Sequence, residues 1–450
     1  MTRKRNSTLK LMASIALVIV FCLSMALPSL AAPTDPAVPT SEAAITKLLQ
    51  VPFGTSIPQT LSYDFVVTSV KEDDAAPTAN MPVIGTELTA TTGKVTIKFD
   101  GGQTLDSTVG DTTTWYRESP NLFADVNWPH AGVYEYKITE TENTYTVNPT
   151  PPPTEVLGYS KAEYNVKVYV DLVNGKLEIT HIGVLNIKDD QGENVDEEEQ
   201  EKLDPTPGGG TKPGGGQYNY SQMIFVNTYV KTNGGTNPEE PGDWTLSISK
   251  AVAGDFSDPL IYFTFNLNLT APSLIKGTPS YKAYVVEADS ANPGKYKVVT
   301  SADNYAGYST ADGSITFTSE SALTFNLKHG QYLVFIDTPV GTSYTVSETG
   351  TTGYLATASV VYNGTRGDKE EGISKGEGLV LPHASNTFYK DTLFVGEAAN
   401  SADFINDRGT TTPTGISVEN LPYIVLIGLA LAGLTGFAAV KIRKGKRTQA

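Results

Sequence analysis

The stretch EYNVKVYV, from Glu163 to Val170, alternates apolar and polar side chains, and KLEIT, from Lys176 to Thr180, repeats the alternation after a short turn. A period of two residues places every second side chain on one face, which is typical of a half-buried β-strand. Similar stretches recur between Gly- and Pro-containing turns: YDFVV (63–67), KVTIKF (94–99), VYEYKI (133–138), IYFTFNLNL (261–269), YKAYVVEA (281–288), GSITFT (313–318), QYLVFI (331–336) and SYTVSE (343–348). No long amphipathic helical pattern competes with them, so the sequence predicts an all-β protein.

The length of 450 residues is sufficient for two domains, each with its own core. A polar, turn-rich stretch at 232–242, TNGGTNPEEPG, separates two strand-rich units at 32–231 and 243–408. We therefore predict two tandem β-sandwich domains of the Greek-key, Ig-like type. Within the first unit, residues 192–217 are acidic and rich in Gly and Pro, which predicts a solvated, flexible loop.

The two ends of the chain predict export and membrane anchoring. A basic start and an apolar run from Leu11 to Leu27 are typical of a signal peptide, assigned to residues 1–31; an uncleaved N-terminal anchor is the alternative. Residues 421–440 form an uncharged run long enough for a transmembrane helix, and the basic tail 441–450 should stay in the cytoplasm. Both units are therefore expected on the extracellular face of the cell envelope.

Charge and residue usage exclude several classes of function. The net charge of −16 argues against nucleic acid as a partner, because phosphates would be repelled. The single cysteine, Cys22, lies in the predicted signal peptide, so the mature chain would have no disulfide. The four histidines are isolated and residues 192–217 lack the ligand spacing of a calcium loop. We expect no metal, no cofactor and no enzyme acting on external substrates.

Lys, Glu and Asn recur in the same order in the two units, each on or beside an apolar strand. Their Lys-to-Glu separations are 93 and 98 residues, and each Asn follows Phe and one β-branched residue in the last strand of its unit. The two sets are Lys47, Glu140 and Asn227 in the first unit, and Lys250, Glu348 and Asn406 in the second.

These three residue types support one particular reaction. Burial between aromatic side chains lowers the pKa of a lysine, and the neutral amine is a nucleophile. Burial raises the pKa of a carboxylic acid, which can then polarise the carbonyl of an Asn side chain. Attack by the amine releases ammonia and leaves an amide that joins the first strand to the last. The alternative is that each residue is an ordinary surface, strand-end or turn residue.

Several motifs resemble the streptococcal pilin isopeptide-linkage domain family over about residues 42–231, namely AITKLLQVPF, GVYEYKITE and MIFVNTY. The second unit, with GQYLVFIDTPVGTSYTVSE and ADFINDR, resembles related pilin-like modules that precede the membrane anchor of Gram-positive surface proteins. The resemblance implies that the Lys and Asn of each set form a bond and that the Glu assists. By position, the expected bonds are Lys47–Asn227 and Lys250–Asn406.

Residues 409–420 form a predicted stalk that contains TTPTG, just before the apolar run. Sortase substrates of these families carry Leu-Pro-x-Thr-Gly. Thr414 and Gly415 match the cleaved pair, whereas Thr411 and Thr412 replace Leu and Pro. Either a sortase of different specificity reads this variant, or the protein is simply retained in the membrane.

Together, these features predict a surface-anchored, pilin-like structural protein of a Gram-positive bacterium, stabilised by autocatalytic isopeptide bonds and active in adhesion or surface assembly. Its expected partners are the membrane, through residues 421–440, a sortase, peptidoglycan or other surface subunits, and a host or matrix ligand. The alternative is an adhesin or carbohydrate-binding module without crosslinks. In that case, exposed Trp115 and Trp128 would stack on sugars.

Overall fold

The computed structural model of the chain describes residues 40–148, 155–196, 202–209, 219–300, 312–372, 374–382 and 392–409. These residues form β-strands and one short 3-10 helix, Pro241–Asp243, so the prediction of an all-β protein is confirmed. No helix among them has the length and apolar character needed to cross a membrane. The predicted signal peptide, membrane span and basic tail, at 1–31, 421–440 and 441–450, lie outside the described residues.

The strands between residues 46 and 231 form two sheets. These strands are β1 (Thr46–Pro52), β2 (Leu61–Glu72), β3 (Thr92–Phe99), β4 (Thr104–Val109), β5 (Thr112–Glu118), β6 (Gly132–Glu140), β7 (Glu155–Gly158), β8 (Glu163–Val173), β9 (Lys176–Lys188), β10 (Lys202–Leu203) and β11 (Ile224–Lys231). One sheet has the order β4-β5-β1-β11-β7, and the other has the order β10-β9-β8-β6-β2-β3. We call this part of the chain the first domain.

The strands between residues 246 and 407 form two further sheets, which make up the second domain. These strands are β12 (Leu246–Ala253), β13 (Phe263–Thr270), β14 (Ser280–Ala288), β15 (Tyr296–Val298), β16 (Ser314–Thr318), β17 (Leu323–Leu327), β18 (Gln331–Phe335), β19 (Ser343–Glu348), β20 (Leu355–Tyr362), β21 (Thr365–Glu371), β22 (Leu379–Leu381), β23 (Leu393–Phe394) and β24 (Ser401–Asp407). One sheet has the order β15-β14-β18-β12-β24-β20-β21, with β16 beside β14. The other has the order β17-β13-β19-β22, with β23 beside β19.

Each domain encloses one hydrophobic core between its two sheets. In β2, the alternation seen in the sequence directs Tyr63, Phe65 and Val67 inward, where all three are buried. In β13, Phe263 and Phe265 are buried in the same way, while Thr264 between them faces solvent. In these two strands, the period of two residues therefore identifies correctly the face that carries the core.

Two hairpins have the same two-residue turn. Asn174 and Gly175 join β8 to β9 with φ angles of 51° and 80°, and Asn363 and Gly364 join β20 to β21 with φ angles of 48° and 78°. Asn and Gly tolerate positive φ, which the tight turns of twisted hairpins require. The local sequence therefore sets the pairing of these strands.

The first and last strands of each domain are parallel neighbours. In the first domain β1 lies between β11, which runs parallel to it, and β5, which runs antiparallel. In the second domain β12 lies between the parallel β24 and the antiparallel β18. Strands that are far apart in the chain therefore lie side by side, and this arrangement positions the candidate sites.

The acidic and Gly/Pro-rich stretch of the first domain differs in part from the flexible loop predicted for it. Strand β10 pairs with β9, and the following residues bind the start and end of the domain. The Ala44 N–H donates to the Pro205 carbonyl at 3.0 Å, and the Gln222 N–H donates to the Asp204 carbonyl at 2.8 Å. The prediction is therefore wrong for residues 202–209.

The two domains contact each other through a carboxylate of the second domain. Glu397 accepts hydrogen bonds from the main-chain N–H of Ser56 at 2.5 Å and from its hydroxyl at 2.8 Å, and it forms an ion pair with Lys231 at 2.6 Å. Nearby, Asp111 accepts a hydrogen bond from the main-chain N–H of Ser273 at 2.7 Å. Polar contacts therefore connect the domains at more than one point.

Candidate crosslinking sites

In the first domain, the three residues identified from the sequence meet inside the core. Glu140 lies between the other two: Lys47 Nζ is 2.7 Å from its Oε2, and Asn227 Nδ2 donates to its Oε1 at 2.7 Å. The side chains of Lys47 and Glu140 have no exposed surface, and Asn227 is also fully buried. The structure therefore brings together residues 93 and 87 positions apart in the chain.

The two sheets of the domain contribute different members of this set. Lys47 is on β1 and Asn227 is on the neighbouring β11, whereas Glu140 is the last residue of β6 in the facing sheet. Glu140 lies opposite Phe65 in the pairing of β6 with β2. The amine and the amide therefore approach the acid from across the core.

The second domain repeats this arrangement. Lys250 Nζ is 2.9 Å from Oε1 of Glu348, and Asn406 Nδ2 donates to the same oxygen at 2.5 Å. Lys250 and Asn406 are on the parallel strands β12 and β24, and Glu348 ends β19 in the facing sheet, opposite Phe265. All three side chains are buried. Both sets predicted from the sequence are thus assembled in the same way.

Aromatic rings surround both lysines. Lys47 Nζ lies 4.9 Å from the ring centroid of Tyr63 and 5.9 Å from that of Phe65. Lys250 Nζ lies 4.1 Å from the ring centroid of Phe263 and 5.9 Å from that of Phe265. Apolar rings exclude water from the amines, which penalises the charged ammonium form.

The pKa values of the amine and the acid shift towards each other at both sites. Burial lowers the pKa of Lys47 to about 8, against the opposing effect of Glu140, and burial raises the pKa of Glu140. Burial likewise lowers the pKa of Lys250 to about 8 and raises that of Glu348. A smaller difference in pKa makes proton transfer from the ammonium to the carboxylate less costly, so a neutral amine becomes accessible.

The first site includes two residues that sequence reasoning missed. The main-chain N–H of Ser160 donates to Oδ1 of Asn227 at 2.6 Å, and the Ser160 hydroxyl donates to Asp190 at 2.5 Å. Asp190 also accepts a hydrogen bond from the main-chain N–H of Val226 at 2.9 Å. A main-chain donor leaves no signature in the residue types, so no sequence motif identifies this contact.

Two other pairs of residues were predicted from the sequence to be functional. Thr414 and Gly415 lie outside the described residues. Trp115 and Trp128 are only partly exposed and pack against the core of the first domain. The ring of Trp128 lies 4.7 Å from that of Tyr134, which does not fit a free surface platform for sugars. In the described part of the chain, no three acidic or histidine side chains are grouped to hold a metal ion.

Known protein families match both domains. Residues 43–230 match the family model of the Spy0128-like isopeptide containing domain, FctA, which confirms the resemblance predicted for the first unit. Residues 244–376 match the model of a domain of unknown function, DUF7601. No curated protein matches the chain.

Solved structures of low sequence identity are also similar. The major pilin from Streptococcus pyogenes is 18% identical, with a TM-score of 0.30, and the match covers 83% of this chain and 100% of the pilin. The T3.2 major pilin from the same species is 16% identical, with the same coverage and a TM-score of 0.28. The pilus-presented adhesin Spy0125 (Cpa) is 16% identical, covering 55% of this chain and 36% of the adhesin, with a TM-score of 0.20. On the family match, residues 43–230 are similar to the Spy0128-like isopeptide containing domains.

Proposed function

We propose that the chain is a structural, pilus-type protein of the bacterial surface whose two Ig-like sandwich domains each close with a Lys–Asn isopeptide bond. The bonds join Lys47 to Asn227 and Lys250 to Asn406, with Glu140 and Glu348 as the assisting acids. One observation carries the proposal: in each domain an amine and an amide meet on a single buried carboxyl group.

Bond formation accounts for the burial of these groups. An ammonium and a carboxylate in a hydrophobic core lose their hydration, and their mutual attraction often fails to offset that loss. Reaction of the amine with the amide replaces the charged lysine by a neutral secondary amide. Ammonia leaves the site, so the reaction is not readily reversed. The reaction of a buried Lys–Glu pair with a neighbouring Asn side chain therefore removes the free-energy cost of burying the two charges.

The proposal also fits a chain whose single cysteine is Cys22. An exported domain without disulfides needs another covalent link if its unfolded state is to be restricted. The proposed bonds require no oxidant. They join the first strand of each domain to the last, so each encloses nearly the whole domain in one covalent loop.

Peptide mapping of the full chain by mass spectrometry tests the crosslinks. We expect one branched peptide containing Lys47 and Asn227 and a second containing Lys250 and Asn406, each lighter than its two linear parts by one ammonia. If digestion released all four residues in separate linear peptides at their full sequence masses, the side chains would be unreacted. The crosslinking function would then be rejected.

For the surface location, we propose export with the two domains outside the cell and anchoring through residues 409–450. A sortase would join the carbonyl of Thr414 to peptidoglycan or to another surface subunit and release Gly415 with everything after it. Material released from cells by a muralytic enzyme should then end at Thr414. Detergent-extracted protein that still contains Lys441 would show membrane retention instead.

A further inference from the structure

The side-chain carbonyl oxygen of Asn227 accepts a hydrogen bond from a group that can only donate. The main-chain N–H of Ser160 lies 2.6 Å from Oδ1, and a main-chain N–H cannot accept a hydrogen bond. This contact fixes the orientation of the amide, which would otherwise be ambiguous. Oδ1 faces Ser160 and Nδ2 faces Glu140, so the acid touches the nitrogen of the amide rather than its oxygen.

The donor is itself fixed in place by buried contacts. Ser160 is 2% exposed, and its hydroxyl both donates to Asp190 and accepts a hydrogen bond from the main-chain N–H of Ala162 at 3.1 Å. The same oxygen of Asp190 accepts from the main-chain N–H of Val226, the neighbour of Asn227 on β11. One carboxylate thus connects the segment that supplies the donor to the strand that supplies the acceptor.

We propose that the main-chain N–H of Ser160 activates the carbonyl of Asn227 for attack by Lys47. The inference rests on the proposed crosslinking function. It gives a role in the reaction to a main-chain group that does not belong to the Lys–Glu–Asn set. In the attack, negative charge develops on Oδ1, where a preorganised donor in a water-free site stabilises it.

The proton transfers of the reaction use the contacts of Glu140 with Lys47 and Asn227. Glu140 Oε2 accepts a proton from the Lys47 ammonium, and the neutral Nζ forms a bond to Cγ of Asn227. When the tetrahedral carbon collapses, the carboxyl group of Glu140 turns its proton from Nζ towards Nδ2, the bond from Cγ to Nδ2 breaks, and Nδ2 leaves as ammonia with that proton. The second proton lost by Nζ returns to Glu140. One acid thus serves amine and leaving group through its two oxygens, while Ser160 serves the carbonyl.

The second domain lacks this arrangement in its described residues. Lys250 and Asn406 share one oxygen of Glu348, while Glu348 Oε2 and Asn406 Oδ1 have no hydrogen-bond partner in the described part of the chain. Rotation of the Asn406 amide would bring Oδ1 to the acid once the acid is protonated. The bond between Lys250 and Asn406 therefore depends on Glu348 alone and provides an internal control.

A pair of substitutions at one position separates the main chain from the side chain. Ser160→Pro removes the N–H, whereas Ser160→Ala keeps the N–H and removes only the hydroxyl. The full chain is kept in denaturant from the start, so that neither bond has formed, and is then refolded in detergent. Mass spectrometry follows the amounts of both branched peptides over time. We expect Ser160→Pro to slow the Lys47–Asn227 bond by about 10²-fold or more, as for loss of one oxyanion donor. Ser160→Ala should slow it far less, and the Lys250–Asn406 bond should form at the unchanged rate in both variants.

The outcomes separate the two proposals. Absence of both branched peptides from the wild-type chain rejects the crosslinking function itself. Normal formation of the Lys47–Asn227 bond in a folded Ser160→Pro chain overturns the role of the Ser160 N–H while leaving the crosslinks in place. If Ser160→Pro prevents the first domain from folding, replacing the peptide bond between Tyr159 and Ser160 by an ester removes the same donor with little change in shape, and the same two rates decide the question.

Discussion

Lys47 and Asn227 lie on adjacent parallel strands but are offset by two residues, because Lys47 lies opposite Phe225 and Asn227 lies opposite Leu49. Since side chains alternate along a strand, an offset of two keeps both residues on the inward face. The Lys–Asn pair of the second domain has the same offset. A long lysine side chain can span this diagonal, which explains how one geometry serves both domains.

Glu140→Gln should abolish the Lys47–Asn227 bond and leave the Lys250–Asn406 bond intact, because glutamine keeps the shape of the acid but cannot exchange protons with the amine. Peptide mapping would show the loss of one branched peptide. Glu135→Gln is the matched control: Glu135 is also buried on β6 but accepts a hydrogen bond from Asn165 at 2.7 Å. Loss of the bond in the control, or its survival in Glu140→Gln, would contradict the assigned role of Glu140.

The same Glu140→Gln variant should be markedly less stable than the wild-type chain. The proposed bond closes a loop of well over one hundred residues, and restricting an unfolded chain of that size is worth about 5 kcal/mol in the chain-entropy model. Unfolding of the first domain in denaturant should therefore have its midpoint at a lower concentration. Equal midpoints for crosslinked and uncrosslinked domains would show that the bond does not stabilise the fold.

The rate of bond formation during refolding should depend on pH with a maximum. The reactive pair, a neutral Lys47 and a protonated Glu140, contains one exchangeable proton. Above a pH of about 8, which is set by the lowered pKa of Lys47, the pair loses this proton. Below the raised pKa of Glu140, the pair gains a second proton. The rate should fall on both sides when it is followed by mass spectrometry. A rate that keeps rising well above pH 8 would mean that the acid is not needed in its protonated form.

Glu397→Gln should loosen the contact between the domains by about 1–2 kcal/mol, because its ion pair with Lys231 is lost and its hydrogen bonds to Ser56 are weakened. Burial alone would raise the pKa of Glu397, but the bonds from Lys231 and Ser56 outweigh it and hold the pKa below its ordinary value. The contact is therefore fully formed when the pH is above the ordinary pKa of a glutamate. It weakens as the pH falls through the lowered pKa of Glu397. Small-angle scattering should show a larger radius of gyration for the variant. Glu371→Gln, on an exposed pair within the second domain, is the control and should leave the radius unchanged.

Trp128→Ala should destabilise the first domain by about 2–3 kcal/mol, less than a fully buried tryptophan, because its ring packs against Phe123 and Tyr134 while staying partly exposed. Trp128→Phe should recover most of the loss. Neither variant should alter retention on immobilised glycans. Loss of glycan retention in Trp128→Ala at unchanged stability would favour the carbohydrate-binding alternative.

The sequence predicted the strands and the Lys–Glu–Asn sets because both leave local traces. Alternation in stretches such as β2 follows directly from burial on one face, and the sets recur in order. The hairpin of β20 and β21 was missed although Asn363 and Gly364 are a strong turn signal. Ser160 could not be predicted, since its contribution is a main-chain N–H placed by tertiary structure. For the same reason, the sequence suggested that the acid polarises the Asn carbonyl, whereas the structure turns the amide nitrogen of Asn227 towards Glu140.

The parallel pairing of β1 with β11 also sets an order of events during synthesis. Hairpins such as β8–β9 can form as soon as they are made, but β1 must wait for the last strand before its neighbour exists. Contacts between distant parts of a chain form late and slowly. A truncated or half-made first domain therefore cannot place an amide beside Lys47. The covalent link, once present, marks a domain that has been completed from its first strand to its last.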